Sequence, residues 1–425
     1  MMKKLTLEEW ERKYVAGDVK RFDQKYIMFS RWSWDPEIRP TVKDWRFLGE
    51  VTDKPGYELR DMALRRASRV GTMVVPNNVS KPNPSRLARA MDKAMKMAYR
   101  ESLLPGQTPS LDAAVLNAPD RAKEKYTQDP MTVTRDIKKA ALFFGADMVG
   151  VCKLDRRWVY SHTYDGEGPS GGPGDGPLIE GDHKPQEITE DYQYAVVMAF
   201  GEDYQMMKHY PSWIAHAATS MGYSMMAITN MYLSAFIRSL GFKAIDCSTN
   251  DVAMTIPMAM QAGLGELGRN GLLITREFGP RVRISKVITD VPLIPDQPIE
   301  FGVTEFCEVC KKCADMCPSQ SIIHGERTPE PRNASNAAGV LKWPINAETC
   351  RAYWGRMNRP CTTCISCCPY NKPFTLFHRT VRWFADHVRW ADRLYVLMDK
   401  WLGYGEPVKP DHFWEKWRPI TRRPY

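Results

Sequence analysis

The sequence predicts an α+β fold: one large mixed domain followed by a smaller cysteine-rich module. Three observations carry this. From residue 132 to 289, helical and extended patterns alternate. Residues 194–200 form a continuous apolar run suited to a strand buried on both faces. Eight of the 11 cysteines then fall in two runs, Cys307-x2-Cys310-x2-Cys313-x3-Cys317-Pro318 and Cys350-x10-Cys361-x2-Cys364-x3-Cys368-Pro369.

Taken in order, residues 1–131 read as an N-terminal wrapping unit, rich in proline, with a charged helix-like stretch at 84–101. Its aromatic cluster, Phe29, Trp32 and Trp34, either packs against the core or forms a wall of a ligand pocket. The core unit spans 132–300. It begins with a helix at 134–147 and a strand at 148–154, then a glycine-rich loop at 166–176 (GEGPSGGPGDG). The apolar strand at 194–200 follows. A long helix at 212–240 ends at Gly241, the residue that best adopts the left-handed conformation past a helix end. Strands are expected at 243–247, 272–275 and 282–289.

The segment Gly263-Leu-Gly265-Glu-Leu-Gly268 matches G-x-G-x-x-G, but the dinucleotide reading needs a strand before it and a helix after it. Here a helix-like stretch (254–262) precedes it and a strand-like one (270–275) follows. The glycines are instead expected to let backbone approach another large cofactor closely. The cysteine module occupies 301–375. The tail, 376–425, is expected to pack on the core. Within it, 377–401 is helical and amphipathic, with Arg379, Arg382, Arg389 and Arg393 set between Trp383, Phe384, Trp390, Leu394 and Leu397. Such a helix either docks on the protein body or lies on an anionic membrane.

Composition narrows the partners. The net charge of +9 suits an anionic partner, yet the basic residues are dispersed, which disfavours nucleic acid. Charged residues at 26% argue against bulk disorder. No run approaches 18 apolar residues, so no transmembrane helix is expected, and the start lacks a signal-peptide pattern.

The C-x2-C-x2-C-x3-C-P run is the two-cluster ferredoxin arrangement, in which the fourth cysteine ligates the other cluster. The ligand sets are then Cys307, Cys310, Cys313 and Cys368 for one cluster, and Cys350, Cys361, Cys364 and Cys317 for the other. A zinc ribbon would use pairs, not triplets with a Cys-Pro. Cys367 offers a competing register, but Cys368 keeps the three-residue spacing and precedes the proline. Cys152 and Cys247 read as buried structural thiols.

Residues 262–290 (AGLGELGRNGLLITREFGPRVRISKVITD), followed by EFCEVCKKCADMCP, resemble the reductive dehalogenases, corrinoid and iron–sulfur enzymes more distantly related to epoxyqueuosine reductase. The likeness covers roughly 132–373. It implies a nitroreductase-like corrinoid-binding core, an inserted ferredoxin-like module with two [4Fe-4S] clusters, and a base-off corrinoid. The absence of a D-x-H-x-x-G motif agrees with the last point. The implied activity removes halide from a small organohalide in organohalide respiration. By the same resemblance, Tyr223 is the proton donor, with Thr219 one helical turn before it on the same face. Arg283 eases proton loss and Asn250 is a polar partner. Trp354 matches a family aromatic that lines the substrate pocket, to which Thr219 and, from the N-terminal aromatic cluster, Phe29 and Trp32 are assigned; Gly263, Gly265, Gly268 and Asn270 are expected to approach the corrinoid. Tyr232 is the fallback donor. Each residue also has a structural reading: core packing for Tyr223, a surface ion pair for Arg283, a helix cap near Val252 for Asn250, packing against a cluster for Trp354.

Expected partners are the organohalide, a low-potential electron donor, a small membrane anchor protein and a second copy of the chain as a homodimer. The resemblance places the mature form at the outer face of the cytoplasmic membrane; without it, the expectation is cytoplasmic. Two other readings stay open. An epoxyqueuosine reductase-like enzyme would act on tRNA with an acidic proton donor. A ferredoxin-type electron carrier would not need a core of this size.

Overall fold

The computed structural model describes residues 2–38, 51–68, 71, 125–165, 182–247, 251–357, 359–373, 375–411 and 413–417. The helix-like stretch at 84–101, the glycine-rich loop at 166–176 and Asn250 lie outside them, as does the side chain of Trp32.

A four-stranded antiparallel sheet forms the centre. Its strands are β1 (Met148–Lys153), β2 (Tyr194–Gly201), β3 (Ala244–Cys247) and β4 (Val282–Thr289), in the order β1-β2-β4-β3. Side chains alternate across it, as the two-residue strand period requires. Cys152, Ala195, Val197, Ala199 and Ile288 face one core, with helix Thr255–Gln261 and the N-terminal helix Leu7–Tyr14. Val151, Val196, Met198, Phe200 and Val287 face the other, under helices Pro130–Phe143 and Trp213–Ser239. Both faces are therefore covered, which is why β2 is apolar at every interior position. The fold is α+β, with helices on both sides of an antiparallel sheet.

Strand β4 and the long helix have close to the bounds the sequence predicts. The first core helix does not. It starts at Pro130, because Asp129 accepts hydrogen bonds from Met131 N and Thr132 N (3.0 Å each) and proline fits the first helical position. It stops at Phe143, just before Gly145 at φ +116°. The 272–275 strand shrinks to Leu273–Ile274, paired with Glu266–Leu267 in a hairpin. The expected 377–401 helix divides into Leu376–His387 and Asp392–Trp401.

The tail docks mainly on the cysteine module. Val396 and Tyr395 pack against Phe306 of helix Val303–Cys310. Buried Lys312 donates to Asp399 at 2.6 Å, and Lys372 also reaches that carboxylate. A short final helix, Phe413–Lys416, packs beside Met206 and Ile214 of the core. The apolar face of 377–401 stands largely in solvent. Trp390 is 86% and Trp401 85% exposed, because docking uses the opposite side of Asp392–Trp401.

Candidate active site

The long helix sets the first wall. His216, Thr219, Ser220 and Tyr223 recur at three- and four-residue spacing, so one helix face carries all four. They line a cavity of about 360 Å³. Opposite stand Trp354, Tyr353 and the cysteine module, and Arg283, Asn270 and Phe29 complete the lining. Five of the residues expected at the site thus share one space: Tyr223, Thr219, Arg283, Trp354 and Phe29. Tyr232 does not. It is 47% exposed and packs on Phe144 at 5.6 Å, because nine residues along a helix turn it off the Tyr223 face.

Arg283 reaches Tyr223 because odd-numbered residues of β4 face the long helix. Its Nη1 donates to the Tyr223 hydroxyl at 3.5 Å, and the guanidinium lies 4.9 Å from the ring centroid. The same side chain binds Glu202 through Nε at 2.8 Å. Register supplies that contact: β2 ends at Gly201 opposite Val282, so Glu202 meets the start of β4. Gly222 is the matching allowance in the helix, where an added Cβ would lie 2.7 Å from the Arg283 side chain. Burial alone would lower the Arg283 pKa, but the Glu202 charge outweighs it and the value is raised. The guanidinium stays charged beside the phenol.

Phe29 and Trp354 meet at 6.3 Å, with the Arg351 guanidinium 5.5 Å and 5.3 Å from their centroids. Burial pushes Arg351 down to about 9. The Trp354 Nε1 and Thr362 Oγ1 are buried without a protein partner. Trp34 turns elsewhere: its indole donates to Lys25 O at 2.9 Å.

The thiols gather in two groups. Cys317, Cys350, Cys361 and Cys364 line the cavity that holds Tyr223. Cys307, Cys310, Cys313 and Cys368 surround a tighter space of about 20 Å³. Burial raises Cys350 and Cys368 to about 12 and Cys310 to about 11, while hydrogen bonds from Ser319 and Ser321 outweigh burial and lower Cys317. Such crowded thiols favour a metal over free thiolates. Cys367 lines neither space.

A second large cavity, about 380 Å³, adjoins the first through Phe29 and Ile345. Trp10, Trp158 and Trp343 line it, and each carries a buried indole N–H with no protein partner. Three aromatic walls with unused donors suit a large flat ligand rich in acceptors.

The glycine motif does different work from that expected. A Cβ on Gly263 would meet Gln297 O at 2.5 Å, one on Gly265 would meet Ile274 O at 2.3 Å, and one on Gly268 would meet the Ile274 side chain at 2.8 Å. The close approaches are to the protein itself, because the motif folds into a tight hairpin. Its polar residues clasp the cysteine module. Glu266 accepts from the amides of Phe301, Gly302 and Val303 (2.6–3.2 Å), capping the helix that carries Cys307 and Cys310. Arg269 donates to Cys307 O at 2.9 Å, and Asn270 to Cys364 O at 3.1 Å. Of the four residues assigned to the corrinoid, Asn270 alone lines the Tyr223 cavity, and it also borders the tighter thiol group.

Family profiles find no match for the chain. Against curated proteins it is 39% identical over 308 residues to the tetrachloroethene reductive dehalogenase of Sulfurospirillum multivorans, covering 68% of this chain and 60% of that one. It is 38% identical over 301 residues to its Desulfitobacterium hafniense counterpart, covering 65% and 54%. The chain is a homologue of the reductive dehalogenases. It spans a little over half the length of these dehalogenases. Among solved structures, the catabolic reductive dehalogenase NpRdhA superposes with a TM-score of 0.63 at 22% identity, over 95% of this chain and 49% of that one, so the reductive dehalogenase fold runs through almost the whole chain. Another such structure, described as suggesting a mechanism for B12-dependent dehalogenation, gives 0.62 at 21%. The likeness to epoxyqueuosine reductase is weaker: 30% identity over 120 residues, 28% of the chain, to the Lactococcus garvieae enzyme.

Sequence reasoning missed Glu202, Arg351 and His216. His216 was open to it, lying three and seven residues before Thr219 and Tyr223 on a single helix face. Glu202 was not, since only strand register brings it to Arg283.

Proposed function

We propose that the chain catalyses reductive dehalogenation, R–X + 2 e⁻ + H⁺ → R–H + X⁻, on a small organohalide. The observation that carries this is the Tyr223–Arg283 pair inside a cavity walled by Trp354, Phe29 and four thiols. On this reading the core is nitroreductase-like, the cysteine module is an inserted ferredoxin-like unit, and the organohalide sits against Tyr223.

The residues present fit the cofactors this needs. Cys307, Cys310, Cys313 and Cys368 would hold one [4Fe-4S] cluster, and Cys317, Cys350, Cys361 and Cys364 the other. Trp10, Trp158 and Trp343, whose buried indole N–H groups have no protein partner, would wall a corrinoid in the second cavity. A strongly reduced corrinoid, when bound, supplies the electrons that break the carbon–halogen bond.

The protein's own contribution is a proton in a dry place. Tyr223 O–H donates to the substrate carbon. The charged Arg283 guanidinium beside the hydroxyl stabilises the negative charge left after proton transfer. Glu202 holds the guanidinium in that position. Phe29 and Trp354 add apolar walls beside the pair, which lowers the local dielectric and strengthens the Arg283–phenolate attraction. Asn250 is proposed as a further polar partner.

No described helix is long and apolar enough to cross a membrane. Exposed Trp383, Trp390 and Trp401 with exposed Arg379 and Arg393 support peripheral attachment to an anionic membrane; the outer face is proposed from the family resemblance. Flotation with anionic and neutral vesicles tests this. The activity is tested by anaerobic purification with corrinoid and iron, then halide release from a panel of organohalides driven by reduced viologen. Corrinoid and cluster absorbance without halide release from any of them would remove the proposal.

A further inference from the structure

Outside the active site, one group of side chains has metal-ligand chemistry. Asp23 heads the turn Gln24–Tyr26, where its Oδ1 accepts from Lys25 N at 2.9 Å. His162 and His183 belong to the two strands of the hairpin His162–Asp165 and Asp182–Pro185. The register pairs Tyr164 with His183, so His162, two residues before Tyr164, shares a face with His183 as its diagonal neighbour. Their rings lie 4.7 Å apart at 31°. Nε2 of His183 is 2.9 Å and Nδ1 of His162 3.8 Å from the same Asp23 oxygen, Oδ2. One ligand atom from each of the three residues lies within 4.8 Å of the others.

An ion pair between Asp23 and His183 explains only part of this. It leaves a second imidazole beside the first, its Nδ1 3.0 Å from Ser161 Oγ and turned to the same Asp23 carboxylate at 3.8 Å. A single divalent cation satisfies both nitrogens and the carboxylate together. Zinc binds histidine nitrogen at about 2.0–2.1 Å and carboxylate oxygen at about 2.0–2.2 Å. Tetrahedral geometry then puts ligand atoms about 3.3 Å apart, between the two distances to Oδ2. Imidazole ligands argue for a borderline ion such as zinc over calcium or magnesium. The two rings and the carboxylate are partly exposed, so the ion can enter and water can fill the fourth position.

We propose that Asp23, His162 and His183 form a zinc(II) site that fastens the N-terminal segment to this hairpin. Asp23 lies shortly before helix Met28–Trp34, whose Phe29 borders both large cavities. The site therefore braces the segment that carries a wall of the substrate space. It needs no redox step, and it is independent of the dehalogenase reading.

The test uses the full chain with its clusters and corrinoid loaded. After chelator treatment, zinc(II) is added and the protein desalted; retained zinc and iron are then counted by mass spectrometry. The unmodified protein is expected to retain about one zinc per chain more than the His162→Ala/His183→Ala variant, at equal iron. His183→Gln alone, at an exposed position, should weaken binding by more than the ~10–100-fold typical of losing a metal's outer-shell partner. Zinc should also slow hydrogen exchange across residues 20–38 by about tenfold or more, equivalent to about 1.4 kcal/mol. Equal zinc in the proteins overturns the proposal. If the variants do not fold, anomalous diffraction at the zinc edge from the unmodified protein decides it: a peak between the three side chains supports the site, and its absence overturns it.

Discussion

The two thiol groups are chemically alike but differently placed. Cys307, Cys310, Cys313 and Cys368 enclose a small space closed by Arg269, Phe306 and Tyr370. Cys317, Cys350, Cys361 and Cys364 open onto the cavity that holds Tyr223 and Arg283. The first is held by backbone clasps from Glu266 and Arg269, the second by Asn270. This difference orders them on the proposed reading: the open group borders the proposed proton donor, and the closed group is a step further out, suited to receiving electrons.

The largest effect should come from breaking the open group. Cys364→Ser is expected to abolish halide release with every reductant. Cys310→Ser should spare more activity with a small viologen than with a protein donor. If both variants behave alike with both donors, the proposed order of the groups is wrong.

Tyr223→Phe should lower turnover by about 10²–10⁴-fold, the usual worth of a positioned acid, with iron and corrinoid contents unchanged. Near-unmodified turnover would remove the proton-donor role.

Glu202→Gln comes next. It leaves Arg283 without its buried counter-charge, and breaking such a pair costs about 3–5 kcal/mol of stability. Turnover should fall by about tenfold through misplacement of Arg283, read as lower kcat with little change in KM. A drop in stability without a drop in kcat would show that Glu202 is only structural.

The smallest effect on activity belongs to Asp246, which touches neither thiol group. Burial, ahead of the Asn230 hydrogen bond, raises its carboxyl from 3.8 to about 6. The folded state therefore prefers the protonated form. Stability is greatest below the unfolded value, falls as pH rises through the folded value, and is lowest above it. The loss amounts to about 3 kcal/mol, at 1.36 kcal/mol per pKa unit. Asp246→Asn should flatten this pH dependence, measured by chemical denaturation between pH 4 and 7.5, and leave turnover unchanged. A slope equal to that of the unmodified protein would place the titration elsewhere.

The sequence by itself determined the pieces whose cause is local. Cysteine spacing states which thiols can surround one cluster, and the apolar run at 194–200 requires a strand covered on both faces. The helix face through His216, Thr219 and Tyr223 is likewise fixed by the 3.6-residue period. Only the tertiary structure decided which pieces meet. Strand register, a long-range pairing, brings Glu202 to Arg283, and strand alternation turns Arg283 toward Tyr223. Hairpin folding of the glycine motif explains why Gly265 and Gly268 face Ile274 while Glu266, Arg269 and Asn270 grip the cysteine module. Periodicity and spacing report which way a side chain points along its own element; the partner it meets depends on how distant elements pack, and no local pattern encodes that.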